Sequence, residues 1–186
     1  MTTYNTSGDA ANTAVRSLLT KIGEYYLKKS FNTSSGNGKK EWERIKYEVF
    51  NNKCAYCNAD DQKLQIEHLI MFNRTEYGLH HPGNVVPSCS ECNKRYKMDN
   101  NKYSNWEEHL KYICKLKNEE DQFESRLNKI KQHIKDENYP NLIPEEESSI
   151  KVIAQSLYDN IKNEMDKSLN LYKNLDAEFV NKKNDE

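Results

Sequence analysis

Four of the five cysteines in this 186-residue chain stand as two Cys-x-x-Cys pairs, Cys54 with Cys57 and Cys89 with Cys92. Each pair brings two thiolates within reach of one ion, and a soft four-sulfur tetrahedral set is what zinc favours. With every position filled by protein sulfur, such a zinc has no open place for water or substrate, so its expected role is structural. Cys114 is left over, and the spacing fits a metal site better than a disulfide framework. The pairs alone are equally those of a zinc ribbon that binds a partner and catalyses nothing. The residues between them must decide.

Those residues run Ile66-Glu67-His68-Leu69-Ile70, then Gly83-Asn84-Val85-Val86-Pro87, then Cys89-Ser90-Glu91-Cys92-Asn93-Lys94-Arg95-Tyr96-Lys97. An acidic residue before histidine, a downstream Gly-Asn with apolar followers, and Cys-x-x-Cys-Asn-x-x-x-Lys occur in that order. Over this stretch the chain resembles the HNH (ββα-metal) endonucleases. The resemblance implies that His68 is the general base that activates water and that Asn84 holds the loop orienting it. Glu67 and Asn93 would bind a catalytic divalent cation, magnesium or manganese. Glu in place of Asp before the histidine gives a longer ligand and moves the expected cation. The implied activity is hydrolysis of phosphodiester bonds in DNA, with restriction or phage defence as the setting. RNA is an alternative substrate, because the motif meets a phosphodiester and reads no bases.

The residue types suit that chemistry without the family name. Phosphodiester hydrolysis needs a base of near-neutral pKa, and an unperturbed histidine titrates at about 6.5. A carboxylate and an amide oxygen suit a hard cation whose remaining ligands are water. Neighbouring strand residues point to opposite faces, so Glu67 and His68 can share a ligand only at a bulge or strand end. Arg74, Lys94, Arg95 and Lys97 place cations where a phosphate backbone would lie, or else form a solvated face. Tyr56, Tyr77, Tyr96 and Tyr103 interleave with them, and no single one stands out for stacking. His80 and His81 stand where they could touch phosphate or metal. His109 and His133 read as ordinary residues of helical polar stretches.

A nuclease requires His68, Asn84 and Asn93 to converge on one cleft, whereas a non-catalytic zinc module that binds nucleic acid or protein does not. The elements that must place them are legible in outline. Alternation from Lys63 to Ile70 predicts a strand, Asn84 to Pro87 a second, and Asn93 onward a helix. Ala10–Tyr26 and Glu41–Phe50 read as helices, separated by a mobile Asn/Ser/Gly loop from Phe31 to Lys40. Asn105 to Ile134 is helical in pattern. Pro144, followed by Glu145, Glu146 and Glu147, suits the start of a last helix reaching about Phe179. Along it Ile150, Leu157, Ile161, Met165, Leu169, Tyr172, Leu175 and Phe179 form a narrow apolar stripe, which fits a homodimer seam or packing on the chain's own body.

The expected fold class is therefore α+β, mostly α overall. A small ββα-metal core with a four-cysteine knuckle (51–104) lies between an N-terminal helical flank (1–50) and a C-terminal helical region (105–186). That last region would serve dimerisation or DNA contact. The formal charge of −1 is uneven. Residues 1–104 carry 15 basic and 11 acidic side chains, net +4, while 105–186 carry 13 and 18, net −5, so the front half is the anion-binding candidate. With 35% hydrophobic and 31% charged residues, the core must be compact and helped by metal or partner. No apolar run approaches the roughly 18–20 residues needed to cross a bilayer, and the polar start from Met1 to Ala11 lacks a signal-like stretch. No membrane partner and a cytoplasmic location are expected. No internal repeat is visible, and Asn181–Glu186 reads as a polar tail.

Overall fold

In the computed structural model, which describes residues 6–60, 63–99 and 101–180, helical periodicity became helix nearly everywhere it was strong. The helices are α1 (Ser7–Leu27), α2 (Gly36–Arg44, continued by a π turn Ile45–Val49), α3 (Trp106–Leu116), α4 (Phe123–Asp136) and α5 (Pro144–Leu175, continued by a π turn Asp176–Val180). Two strands, β1 (Gln65–His68) and β2 (Val85–Ser88), pair antiparallel as the one sheet among the described residues. The fold is mostly α with a small β hairpin-like pair, an α+β arrangement. No described helix is long and apolar enough to cross a membrane.

The chain divides into two compact units. One comprises residues 1–18 and 143–186, and its buried residues are Ala11, Val15, Ile150 and Ala154. Pro144 opens α5, and the Glu146 carboxylate reaches back to accept the Ile143 N–H at 3.0 Å. Pro at the first helical position wastes no N–H, and the acidic first turn complements the helix dipole. The apolar stripe of α5 is covered at Ile150 but exposed at Met165, Leu169, Tyr172, Leu175 and Phe179. The polar tail from Asn181 lies outside the described residues.

The other unit, Leu19–Leu142, holds the sheet, the cysteine pairs and the larger core. Phe31, Ile45, Tyr56, Leu69, Val85, Leu110 and Ile130 are all buried in it. Full burial of each such side chain stabilises by roughly 1.5–3 kcal/mol, which explains why a thinly apolar sequence still folds here. The boundaries expected at 50 and 104 both fall inside this unit.

Three expected elements differ. The loop from Phe31 to Lys40 is shorter than expected, because α2 begins at Gly36 and Phe31 is itself core. The helix read across Asn105–Ile134 is two helices. Asn118 adopts φ +55 and closes α3, while Glu119 N–H bonds to the Cys114 carbonyl at 2.8 Å. Both helices turn apolar faces to one core, so the periodicity carries through the break. No helix starts at Asn93. The segment Ser90–Asn93 is a turn closed by Asn93 N–H to the Cys89 carbonyl at 2.9 Å. Beyond it Ser104 N–H bonds to the Tyr96 carbonyl and Lys97 bridges to Tyr103, so helix begins only at Trp106, capped by Asn105. Within this stretch the Arg95 side chain turns inward to Glu67 and to the His68 and Leu69 carbonyls.

Candidate metal centre and the histidine pair beside it

The two strands bring the cysteine pairs together. Cys54 and Cys57 precede β1, Cys89 and Cys92 follow β2, and the register sets Gln65 opposite Ser88 at the knuckle end. Ala55 N–H donates to the Pro87 carbonyl at 2.8 Å, tying the first pair to β2. All four sulfurs lie within 4.8 Å of one another. Zinc–sulfur bonds of about 2.3 Å in a tetrahedron separate sulfurs by about 3.8 Å, and Cys57 Sγ lies 3.8 Å from Cys89 Sγ. The residues fit one metal ion, and the donor set suits zinc.

Crowding shapes the thiols' acidity. Hydrogen bonds from Cys57 and Cys92 hold the Cys54 thiol far below its ordinary value. The same thiolate pushes Cys57 up to about 12, and Cys92 also rises. Four thiolates cannot coexist without a cation between them, and a divalent ion removes that repulsion. His109, one of the two helical histidines read as ordinary, is buried and pins the knuckle by donating from Nε2 to the Cys92 carbonyl at 2.8 Å.

His68 ends β1, with Val85 opposite it on β2. Its Nε2 lies 2.9 Å from Nδ1 of His80, and its ring stacks on Phe72 at a centroid distance of 4.7 Å and an interplanar angle of 16°. Burial, and secondarily the neighbouring His80, push the His68 pKa down to about 3, so the imidazole is neutral at ordinary pH. His80 is also lowered by burial.

Asn84 is fully buried and clasps the loop that leaves His68. Its Oδ1 accepts the Ile70 N–H at 2.7 Å, and its Nδ2 donates to the carbonyls of Ile70 at 2.9 Å and Leu79 at 2.8 Å. Its own carbonyl accepts Leu69 N–H at 2.9 Å. The loop closes this tightly because residue 78 is glycine: a Cβ there would sit 2.0 Å from the Ile70 carbonyl oxygen. His133 of α4 in turn bonds through Nε2 to the carbonyls of Pro82 and Val85, at 3.1 and 3.0 Å, on either side of Asn84. Sequence reading passed over both helical histidines. For His133 the available signal was its place among Leu127, Ile130 and Ile134 on one helix.

Glu67, Asn93 and Arg95 are placed otherwise than the resemblance implies. Glu67 alternates to the face opposite His68, and its Oε1 accepts from Nε of Arg95 at 2.8 Å. Asn93 donates from Nδ2 to Gln65 Oε1 at 2.7 Å, on Glu67's face of β1. Burial raises the Glu67 pKa, opposed by Arg95. Among the described residues the four cysteines are the one cluster of three or more acidic, histidine or cysteine ligands. Glu67 and Asn93 thus do not fit a ready magnesium or manganese site, since each already holds another partner. His68 and Asn84 come together; Asn93 does not join them.

Arg95 is not a surface cation. Its side chain is 5% exposed and donates to Glu67, to the Ser104 carbonyl at 3.2 Å, and to the His68 and Leu69 carbonyls at 3.1 and 2.8 Å. Lys94 and Lys97 stay exposed, Lys97 with its ammonium 5.3 Å from the Tyr103 ring centre, and Arg74 is half-buried. Comparisons with models of known families, with curated proteins and with solved structures find no match.

Proposed function

We propose that this protein is an HNH-type endonuclease that hydrolyses phosphodiester bonds in DNA, with His68 as general base and a structural zinc on Cys54, Cys57, Cys89 and Cys92. The observation that carries the reading is the seat of His68. It is a neutral imidazole at a strand end, with Nε2 engaged by His80 and no hydrogen-bond partner for Nδ1 among the described residues. Asn84 and His133 fix the adjoining loop. A ring with one nitrogen held and the other free can accept a proton from water, and because burial holds its pKa near 3, the reading requires a bound phosphate to raise it toward neutrality. Lys94 and Lys97 supply exposed charge for a phosphate backbone.

The reading also calls for magnesium or manganese, which would polarise the phosphate where bound. Glu67 and Asn93 would hold it only by giving up Arg95 and Gln65, and they stand on the face of β1 opposite His68, so they do not fit that ion as placed. The test is incubation of the purified, zinc-loaded chain with supercoiled plasmid and magnesium, manganese or EDTA, beside His68→Ala. Metal-dependent cutting by the parent and none by the variant is the expected result; cutting by both would end the assignment of His68.

The Glu67–Arg95 and Asn93–Gln65 pairings favour a second reading, a zinc-held module that binds nucleic acid or protein without catalysis. An intact plasmid that is nonetheless retarded in the same gel would select it.

A further inference from the structure

From Lys162 to Leu175 every residue of α5 is exposed. A helical arm without tertiary cover is marginal in water, because most helical stability comes from packing an apolar face. This arm is not polar all round. Met165, Leu169, Leu171, Tyr172, Leu175 and Phe179 stand between 42% and 66% exposed. They continue a face already in use nearer Pro144. At about 100° per residue, Ile150, Ala154 and Ile161 fall within about 60° of Met165, Tyr172 and Phe179 around the helix. Ile150 and Ala154 are buried, as are Ala11 and Val15 of α1 in the same unit. A Cβ on Gly8 of α1 would meet the Tyr158 hydroxyl at 3.4 Å. Among the described residues α1 begins at Ser7, so the face it covers ends near Tyr158 while α5 runs on.

We propose that the exposed arm pairs antiparallel with the same arm of a second copy of this chain, about a twofold axis at Asn170. Ile161, Met165, Ser168, Tyr172, Leu175 and Phe179 alternate by four and three residues, the repeat of a two-stranded seam. Turned end for end about Asn170, Ile161 of one copy faces Phe179 of the other, and Met165 faces Leu175. Ser168 faces Tyr172, so the one small seam residue meets a large ring. Leu169 and Leu171 flank the axis, each beside its own copy, and Lys162 meets Asp176. Glu164 comes opposite Glu178, and that repulsion is eased by Lys167, 3.9 Å from Glu164. A parallel pair instead stacks Ser168 on Ser168 and turns Glu164 and Asp176 toward leucines of the other copy. The exposed apolar side chains offer roughly 600 Å² per copy, so a pair covers about 1,200 Å², which reaches the range of stable specific interfaces.

The inference stands apart from the nuclease reading, and its test uses the full-length, zinc-loaded chain. Sedimentation equilibrium at micromolar concentrations is expected to give twice the chain mass of 21.9 kDa. Leu169→Glu sets two carboxylates at the axis and is expected to weaken association at least about 100-fold; Leu169→Lys does the same with two ammonium groups. Leu169 is exposed and lies well along the helix from Ile150 and Ala154, so neither variant opens the core. Mixed together, the two variants are expected to pair with each other at close to parental affinity, because residue 169 meets its own copy at the axis. A parent that stays monomeric overturns the proposal, whether the arm then lies on its own body or takes a different protein. A dimer that survives Leu169→Glu, or a mixture of the two variants that stays monomeric, overturns it as well.

Discussion

Glu67 Oε1 and Arg95 Nε lie 2.8 Å apart, with side chains only 12% and 5% exposed, and this ion pair joins β1 to the turn that follows the second cysteine pair. Breaking a buried pair by removing one partner leaves a charge without compensation. Arg95→Ala is therefore expected to lower the free energy of unfolding by about 3–5 kcal/mol, read by urea denaturation. A variant of parental stability that had merely lost DNA binding would show that Arg95 serves as a phosphate contact after all. Lys94→Ala and Lys97→Ala, in contrast, should leave stability within about 0.5 kcal/mol and weaken DNA binding most at low salt.

His68→Ala removes the proposed base without touching the core contacts of Asn84. It is expected to lower plasmid cleavage at least about 100-fold, with an unchanged circular dichroism spectrum and unchanged gel retardation. One chain contains one such histidine, so the expected product is a nick; full linearisation in concert needs two sites related by symmetry.

The four sulfurs predict one metal ion per chain, to be measured by atomic absorption. Structural zinc contributes on the order of 10 kcal/mol to the fold it closes. Cys89→Ser, or a strong chelator, should therefore melt the unit Leu19–Leu142, seen as loss of near-ultraviolet dichroism. A metal-free chain that stays folded would show the knuckle to be dispensable.

His81 is buried and accepts the Gly83 N–H on Nδ1 at 3.1 Å. Burial, then the charges of Lys29 and His80, push its pKa down to about 4. Below the ordinary histidine value the unfolded chain binds a proton that the folded chain refuses, so stability falls as pH falls. The loss from this group should begin near pH 6.5 and level off near pH 4, about 3 kcal/mol in all. Denaturation curves at pH 7 and 5 should show a smaller drop for His81→Asn, which keeps an acceptor for Gly83 without the titration. An identical drop in both proteins would assign the acid sensitivity to other groups.

What the sequence by itself determined is what local chemistry dictates. The Cys-x-x-Cys spacing brings two sulfurs to one ion whatever surrounds them, and the alternation around Ile66 and the Pro144 start each bias a few neighbouring residues. His68 at the strand end was foreseeable on the same ground, because strand geometry forbids Glu67 and His68 to share a face. Tertiary structure alone decided the partners. Glu67 could have faced a cation or Arg95, and burial of both side chains around the His68 and Leu69 carbonyls selected the guanidinium. His80 meets His68 across a loop, and His133 reaches Val85 from another helix altogether; hydrogen bonds across such separations obey no periodicity. They form because packing leaves a buried donor and a buried acceptor side by side, and leaving such a group without a partner costs about 1–3 kcal/mol.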